Sequence, residues 1–137
     1  MSWQQYIDSS LVGSGHVDQA AIVSAAGDSV WAASPDFSLK PAELRTLAGV
    51  LAALENDKLD RSPVDTAQTE GIYVAGERYV VARLDGRTIY ARQGRSGICV
   101  AKTKQAIILA HHGEAQVAGN ASSTTEALAD YLTKVGY

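Results

Sequence analysis

The chain has 137 residues, 46% hydrophobic and 20% charged, with a net charge of −3. That length suits one domain around one core, and the composition is ordinary for a globular protein. Cys99 is the only cysteine, which excludes an intramolecular disulfide and favours a reducing compartment. The opening Met1-Ser2-Trp3-Gln4-Gln5 lacks a basic segment followed by an apolar one, so no signal peptide is expected. No apolar run reaches the ~18–20 residues of a membrane span, and the expectation is a cytoplasmic protein.

Ser2 to Leu11 reads as an amphipathic helix. Ser2 and Gln5 have the spacing of a capping box, and Trp3, Tyr6, Ile7 and Leu11 share a helical face. Gly13-Ser14-Gly15 ends it. Val17–Ala25 and Ser29–Ala33 form a hairpin about Ala26-Gly27-Asp28, and Ser34-Pro35-Asp36 breaks the chain. Pro41 suits the first turn of a second helix carrying Leu44, Leu47, Ala48, Leu51 and Leu54, with Glu43 near its positive end.

From Glu55 to Thr69 the sequence turns polar. With Pro63, and only Leu59, Val64 and Ala67 apolar, this stretch reads as an exposed, mobile loop. A meander of five antiparallel strands follows at Ile72–Val74, Arg78–Leu84, Arg87–Arg92, Ile98–Thr103 and Gln105–His111. Asp85-Gly86 is its strongest turn signal. The last helix is read from a capping box at Ser123 and Glu126, with Ala127, Leu128, Tyr131, Leu132 and Val135 on one face.

This order describes an α+β domain over 1–137 with an exposed polar loop at about 55–70. A central twisted antiparallel sheet of about 6–7 strands is flanked by helices, with the N- and C-terminal helices packed together on one face.

Catalytic signatures are missing: there is no P-loop, G-x-S-x-G, H-E-x-x-H or C-x-x-C. His111 and His112 point to opposite faces of a strand and do not share a metal. Cys99 sits on an apolar strand as core, and Gly94-Arg95-Ser96-Gly97 is a weak match to an anion nest. No base–nucleophile pair supports a hydrolase near Gly94–Gly97, so no enzyme, metal or cofactor is expected.

Charge and aromatic residues carry more information. Between Arg78 and Lys104, seven bases face the single acid Asp85, a net +6, while the rest of the chain nets −9. These bases are either scattered over solvated strands or form a face for an acidic protein surface, anionic lipid or nucleic acid. A two-residue Asp85-Gly86 turn would pair Arg83 with Thr88 and Tyr79 with Arg92. Tyr79, Val81, Arg83, Thr88, Tyr90 and Arg92 would then share a face that suits a protein partner. Nucleic acid is not expected, because the stripe holds no RNA-recognition motif and the whole chain is acidic.

Trp3, Tyr6, Tyr131 and Tyr137 cluster near the two ends of the sequence. They either staple the terminal helices to the sheet or build, with Trp31, an exposed aromatic platform. Such a platform suits a polyproline II helix, which is pre-extended and offers flat rings and unpaired carbonyls.

Four segments in order resemble the profilin family, most closely its fungal members. They are Ser2-Trp3-Gln4-Gln5-Tyr6-Ile7-Asp8, Gly27-Asp28-Ser29-Val30-Trp31-Ala32, Thr103-Lys104-Gln105, and Ala127-Leu128-Ala129-Asp130-Tyr131-Leu132 through Gly136-Tyr137. The resemblance implies a protein that binds actin monomers, regulates their polymerisation and links them to proline-rich partners such as formin-type assembly factors. By position it implies a proline-rich ligand site at Trp3, Tyr6, Trp31, Tyr131, Leu132 and Tyr137. It implies an actin face at Arg78, Val80, Arg83, Arg92, Lys102, Thr103, Gln116, Val117, Gly119, Ser122, Ser123 and Glu126. Phosphoinositide binding would fall to Arg78, Arg83, Arg92, Lys102 and Lys104. The chain would act as a cytoskeleton-associated monomer. The alternative is a phosphoinositide-binding membrane-surface module without a primary actin role.

Two departures from related fungal sequences stand out. The polar stretch 55–69 looks longer, and His111-His112-Gly113 replaces an aromatic residue and prolines.

Overall fold

Strands that are apolar on both sides set the architecture. The computed structural model describes residues 2–35, 37–56, 58 and 60–137; Asp36 of the expected chain break and Leu59 of the expected loop lie outside the described residues. β1 (Gln19–Ser24), β6 (Ser96–Lys102) and β7 (Ala106–His112) are buried along nearly their whole length. Such strands need cover on both faces. They receive it within a seven-stranded antiparallel sheet of order β2-β1-β7-β6-β5-β4-β3. β2 is Val30–Ala33, β3 Ile72–Val74, β4 Glu77–Asp85 and β5 Thr88–Gln93. The expected sheet and its five-strand meander are present, with β1 inserted beside β7.

The period of two sorts the side chains. Ala21, Val23, Ile98, Val100, Ile107 and Leu109 face helices α2 (Pro41–Glu55) and α3 (Ser62–Glu70). Ala20, Ile22, Ala101, Ile108 and Ala110 face the N-terminal helix and α4 (Ala118–Lys134). The terminal helices therefore lie on one face, as expected. The N-terminal helix starts as α1 (Trp3–Gln5) behind the Ser2–Gln5 capping box. It widens into a π-helical stretch over Tyr6–Leu11 and closes with a 3-10 turn over Val12–Ser14. Ile7 and Leu11 are its fully buried residues. At the β1–β2 turn Gly27 has φ +75°, and a Cβ there would lie 2.5 Å from the Leu44 carbonyl oxygen, so the turn packs onto α2.

Three local expectations are corrected. The polar stretch after Glu55 contains α3 rather than only a loop. Pro63 sits in its first turn, where proline is tolerated, and Val64 and Ala67, three residues apart, are both buried. Arg61 ties the entry by donating from Nη1 to the Ala53 carbonyl at 2.8 Å. α4 begins at Ala118 rather than at a Ser123 cap, so the Ser123–Glu126 pair lies within the helix.

The β4–β5 register also differs. Asp85 pairs with Thr88, leaving Gly86-Arg87 as the two-residue loop, and Gly86 takes the positive φ (+57°) that such loops demand. A bulge at Ala82 then shifts the phase, so that Arg83 faces Tyr90 and Val80 faces Arg92. Tyr79 and Val81 turn into the α2-side core, away from the face predicted for them.

Candidate binding surfaces

The helix cap, the edge strand and α4 converge on one aromatic cluster. Trp3 and Tyr6 are three residues apart on the N-terminal helix, with ring centroids 5.7 Å apart. Trp31 on β2 lies 4.7 Å from Trp3. Tyr137 meets Trp3 edge-on at 5.0 Å, and Tyr131 of α4 lies 6.1 Å from Tyr6. Five rings from three stretches of sequence thus form one continuous patch.

The patch is open to solvent. Tyr131 is 49% and Tyr137 44% exposed, while Trp3, Tyr6 and Trp31 are half-buried over the core. Leu132 is fully buried and supports the rings from beneath. Beside Tyr6 and Tyr131 a groove of about 440 Å³ continues between the helices, lined also by Ser10, Thr124, Ala127 and Leu128. Sequence reading missed Ser10 and Thr124, although Ser10 stands four residues from Tyr6 and Thr124 seven from Tyr131. Burial, helped by Tyr131 and Tyr137, holds the Tyr6 phenol above its ordinary pKa, so it keeps its donor proton. The arrangement offers flat apolar faces with hydroxyl and indole N–H donors, the chemistry that a polyproline helix needs.

A second surface lies where the outer side of β4–β5 meets α4. The Arg83 guanidinium stacks over the Tyr90 ring at 4.4 Å and reaches Asp85 at 3.5 Å. Thr88 Oγ1 donates to Glu126 at 3.3 Å. Arg83, Tyr90, Gly119, Ser122, Ser123 and Glu126 line a shallow cavity of about 420 Å³. Burial and the Glu126 carboxylate raise the Tyr90 phenol against the opposing pull of Arg83. Val80, 56% exposed, and Arg92 extend the patch along the same face. At the sheet edge Arg78 donates from Nε to the Glu70 carbonyl at 2.7 Å. Val117, 61% exposed, caps α4, and Gln116 is occupied in bracing the β7–α4 link to Gly113 and Gly15.

Lys102, Thr103 and Lys104 line a different cavity, of about 360 Å³, with Glu55, Arg87 and Thr133. Lys102 pairs with Glu55 and Arg87 with Asp130, both at 2.6 Å. Arg87 and Asp130 were not singled out in the sequence. Thr103 is only 4% exposed. Of the residues grouped by resemblance as one actin face, Lys102 and Thr103 line this cavity and not the one beside Arg83.

Outside these surfaces, His111 approaches Asp18 at 2.5 Å, while His112 is buried on the opposite face of β7. Burial pushes the Cys99 thiol up to about 12. Among the described residues no cluster of three or more His, Cys, Asp or Glu could hold a metal. No helix among them is long and apolar enough to cross a membrane.

Comparison with known proteins matches this architecture from end to end. The Profilin family model covers residues 1–137. Profilin from Schizosaccharomyces pombe is 46% identical over 137 residues, and profilin from Saccharomyces cerevisiae 39%, each covering 100% of both chains. The crystal structure of S. pombe profilin superposes with a TM-score of 0.88 at 44% identity, covering 99% of this chain and 100% of that one. Acanthamoeba castellanii profilin IB superposes at 0.87 with 40% identity over 99% and 100% of the two chains. The chain belongs to the profilin family.

Proposed function

We propose that the two surfaces divide the work of a profilin between them. The chain is an actin-monomer-binding protein that regulates polymerisation and links actin to proline-rich partners, including formin-type assembly factors. Proline-rich segments bind the platform of Trp3, Tyr6, Trp31, Tyr131 and Tyr137. Actin binds the face built from Val80, Arg83, Arg92, Gly119, Ser122, Ser123 and Glu126, with Arg78 and Val117 at its margins. The observation that carries this reading is that the open five-ring patch and the charged β4–β5/α4 face are built from different residues, with none in common. Nothing in this role requires covalent chemistry. The protein would act as a monomer in the cytoplasm, at the actin cytoskeleton.

Separable variants test the division. Arg92→Glu is expected to abolish actin-monomer binding and leave polyproline binding intact, whereas Trp3→Ala does the reverse. Aromatic anchors of this kind are worth about 2 kcal/mol or more, or about 30-fold in affinity. If each change damages both activities in folded protein, the two-surface reading is wrong.

A second reading, phosphoinositide binding, is favoured by the basic corner. Lys102, Arg87 and Lys104 share one cavity, and among the described residues Lys104, Arg92 and Arg78 have no carboxylate in ion-pair range.

A further inference from the structure

The five rings are not held alike. Trp3, Tyr6 and Tyr131 stand on helices and Trp31 on a strand. Tyr137 lies beyond the end of α4, after Gly136 at φ +100°, so no regular element places its ring. Its main chain is gripped instead by the turn between β6 and β7. Thr103 Oγ1 donates to the Tyr137 main-chain oxygen at 2.7 Å, and the Gln105 main-chain N–H donates to the same atom. Gln105 Nε2 donates to the Gly136 carbonyl at 3.1 Å, and the Tyr137 N–H returns to the Leu132 carbonyl at 2.8 Å.

The Thr103 hydroxyl is well prepared for this task. It is buried, and its oxygen accepts the Ala106 N–H at 3.0 Å, which orients it. Its single proton has two acceptors within range, Tyr137 at 2.7 Å and the Ala106 carbonyl at 3.3 Å, and the shorter contact takes it. The Tyr137 ring is then set 5.0 Å from Trp3 with its other side in solvent.

We infer that Thr103 and Gln105 are positioning residues of the proline-binding platform, acting through Tyr137, and that Thr103 does not contact actin. This rests on the platform being the proline-binding surface. A ring held only by its own flexible tail must be ordered when ligand arrives, which weakens binding; the turn removes that cost in advance.

Affinity for poly-L-proline, followed by tryptophan fluorescence, tests the clamp in a double-mutant cycle. Thr103→Val keeps the shape and removes the hydroxyl; it should weaken binding about tenfold, and Thr103→Ser should restore it to within about twofold. Gln105 is exposed, so Gln105→Ala remains folded and should cost about threefold. Adding either change to Tyr137→Ala should weaken binding no further, because the ring through which both act is already gone. Wild-type affinity in Thr103→Val, or losses that add in full to that of Tyr137→Ala, would overturn the inference. Should Thr103→Val melt below the assay temperature, the Gln105→Ala cycle decides by the same criteria. If Trp3→Ala and Tyr137→Ala both bind like wild type, the platform reading fails and the clamp falls with it, a pattern distinct from failure of the clamp alone.

Discussion

Glu43 offers a test of how the α2 side of the sheet is held. The residue is 9% exposed, and its two carboxylate oxygens accept different main-chain protons: Oε1 from Lys40 N–H at 3.2 Å and Oε2 from Gly76 N–H at 2.9 Å. One bond closes the start of α2. The other fixes the β3–β4 turn, where Ala75 and Gly76 both have positive φ, +53° and +81°. Glu43→Ala removes both acceptors. Each hydrogen bond to a charged group contributes about 1.5 kcal/mol net, so the pair is worth about 3. Lys40 and Gly76 are themselves exposed, and water can replace part of the loss, leaving about 2 kcal/mol. At this chain length about 2 kcal/mol corresponds to a fall in Tm of about 6–10 °C, read by far-UV circular dichroism. Because α2 and the aromatic platform lie on opposite faces of the sheet, poly-L-proline affinity at 25 °C should not change. A Tm within about 2 °C of wild type would refute the reasoning.

Two further outcomes follow from charge. Burial, and then the neighbouring His111, hold the His112 imidazole below its ordinary value of 6.5, and among the described residues its Nδ1 has no partner. The unfolded chain therefore takes up this proton more readily. The contribution to stability is full above about 6.5 and is lost as pH falls from there toward the folded value. Urea midpoints measured across that window should decline more steeply in wild type than in His112→Gln; equal slopes would count against it. For the basic corner, sedimentation with phosphoinositide vesicles should fall steeply with added salt and in Lys104→Glu. Strong lipid binding combined with no actin affinity would favour the membrane-surface reading over the actin one.

The strands were legible because their apolar runs are separated by turn residues, even where the turn itself lay one residue away, and the capping box at Ser2 placed Trp3 and Tyr6 correctly on one helical face. α3 was hidden because two apolar residues among polar ones carry little periodic signal, and because Pro63 reads equally well as a breaker or as a first-turn residue. The early start of α4 was hidden for a related reason. Ala118, Gly119, Asn120 and Ala121 form no apolar stripe, yet Ala121 and Thr125 are fully buried, since small side chains let the helix lie close to the sheet. The bulge at Ala82 has no local signature. Strict alternation therefore assigned Tyr79 and Val81 to the wrong side, whereas the positions carried over from the profilin resemblance, Val80, Arg83 and Arg92, do share a face. Leu132 joined the rings through the profilin resemblance, and a matched position does not give a side chain's depth: it is fully buried. The contact between Thr103 and Tyr137 was hidden because a hydrogen bond spanning 34 residues leaves no trace in spacing.

The place of β1 in the sheet has a consequence for how the protein is made. Its inner neighbour is β7, with Gln19 opposite His111 and Ser24 opposite Ala106. On a translating ribosome, the β1–β2 hairpin emerges long before that neighbour exists. Its inner edge, rich in alanine, isoleucine and valine, waits with unpaired main-chain groups while the intervening helices and strands are synthesised. Sheet closure is thus a late event that joins distant parts of the sequence, and such long-range pairing slows folding. A nascent chain stalled before residue 106 would present that edge to chaperones, or to other copies of itself.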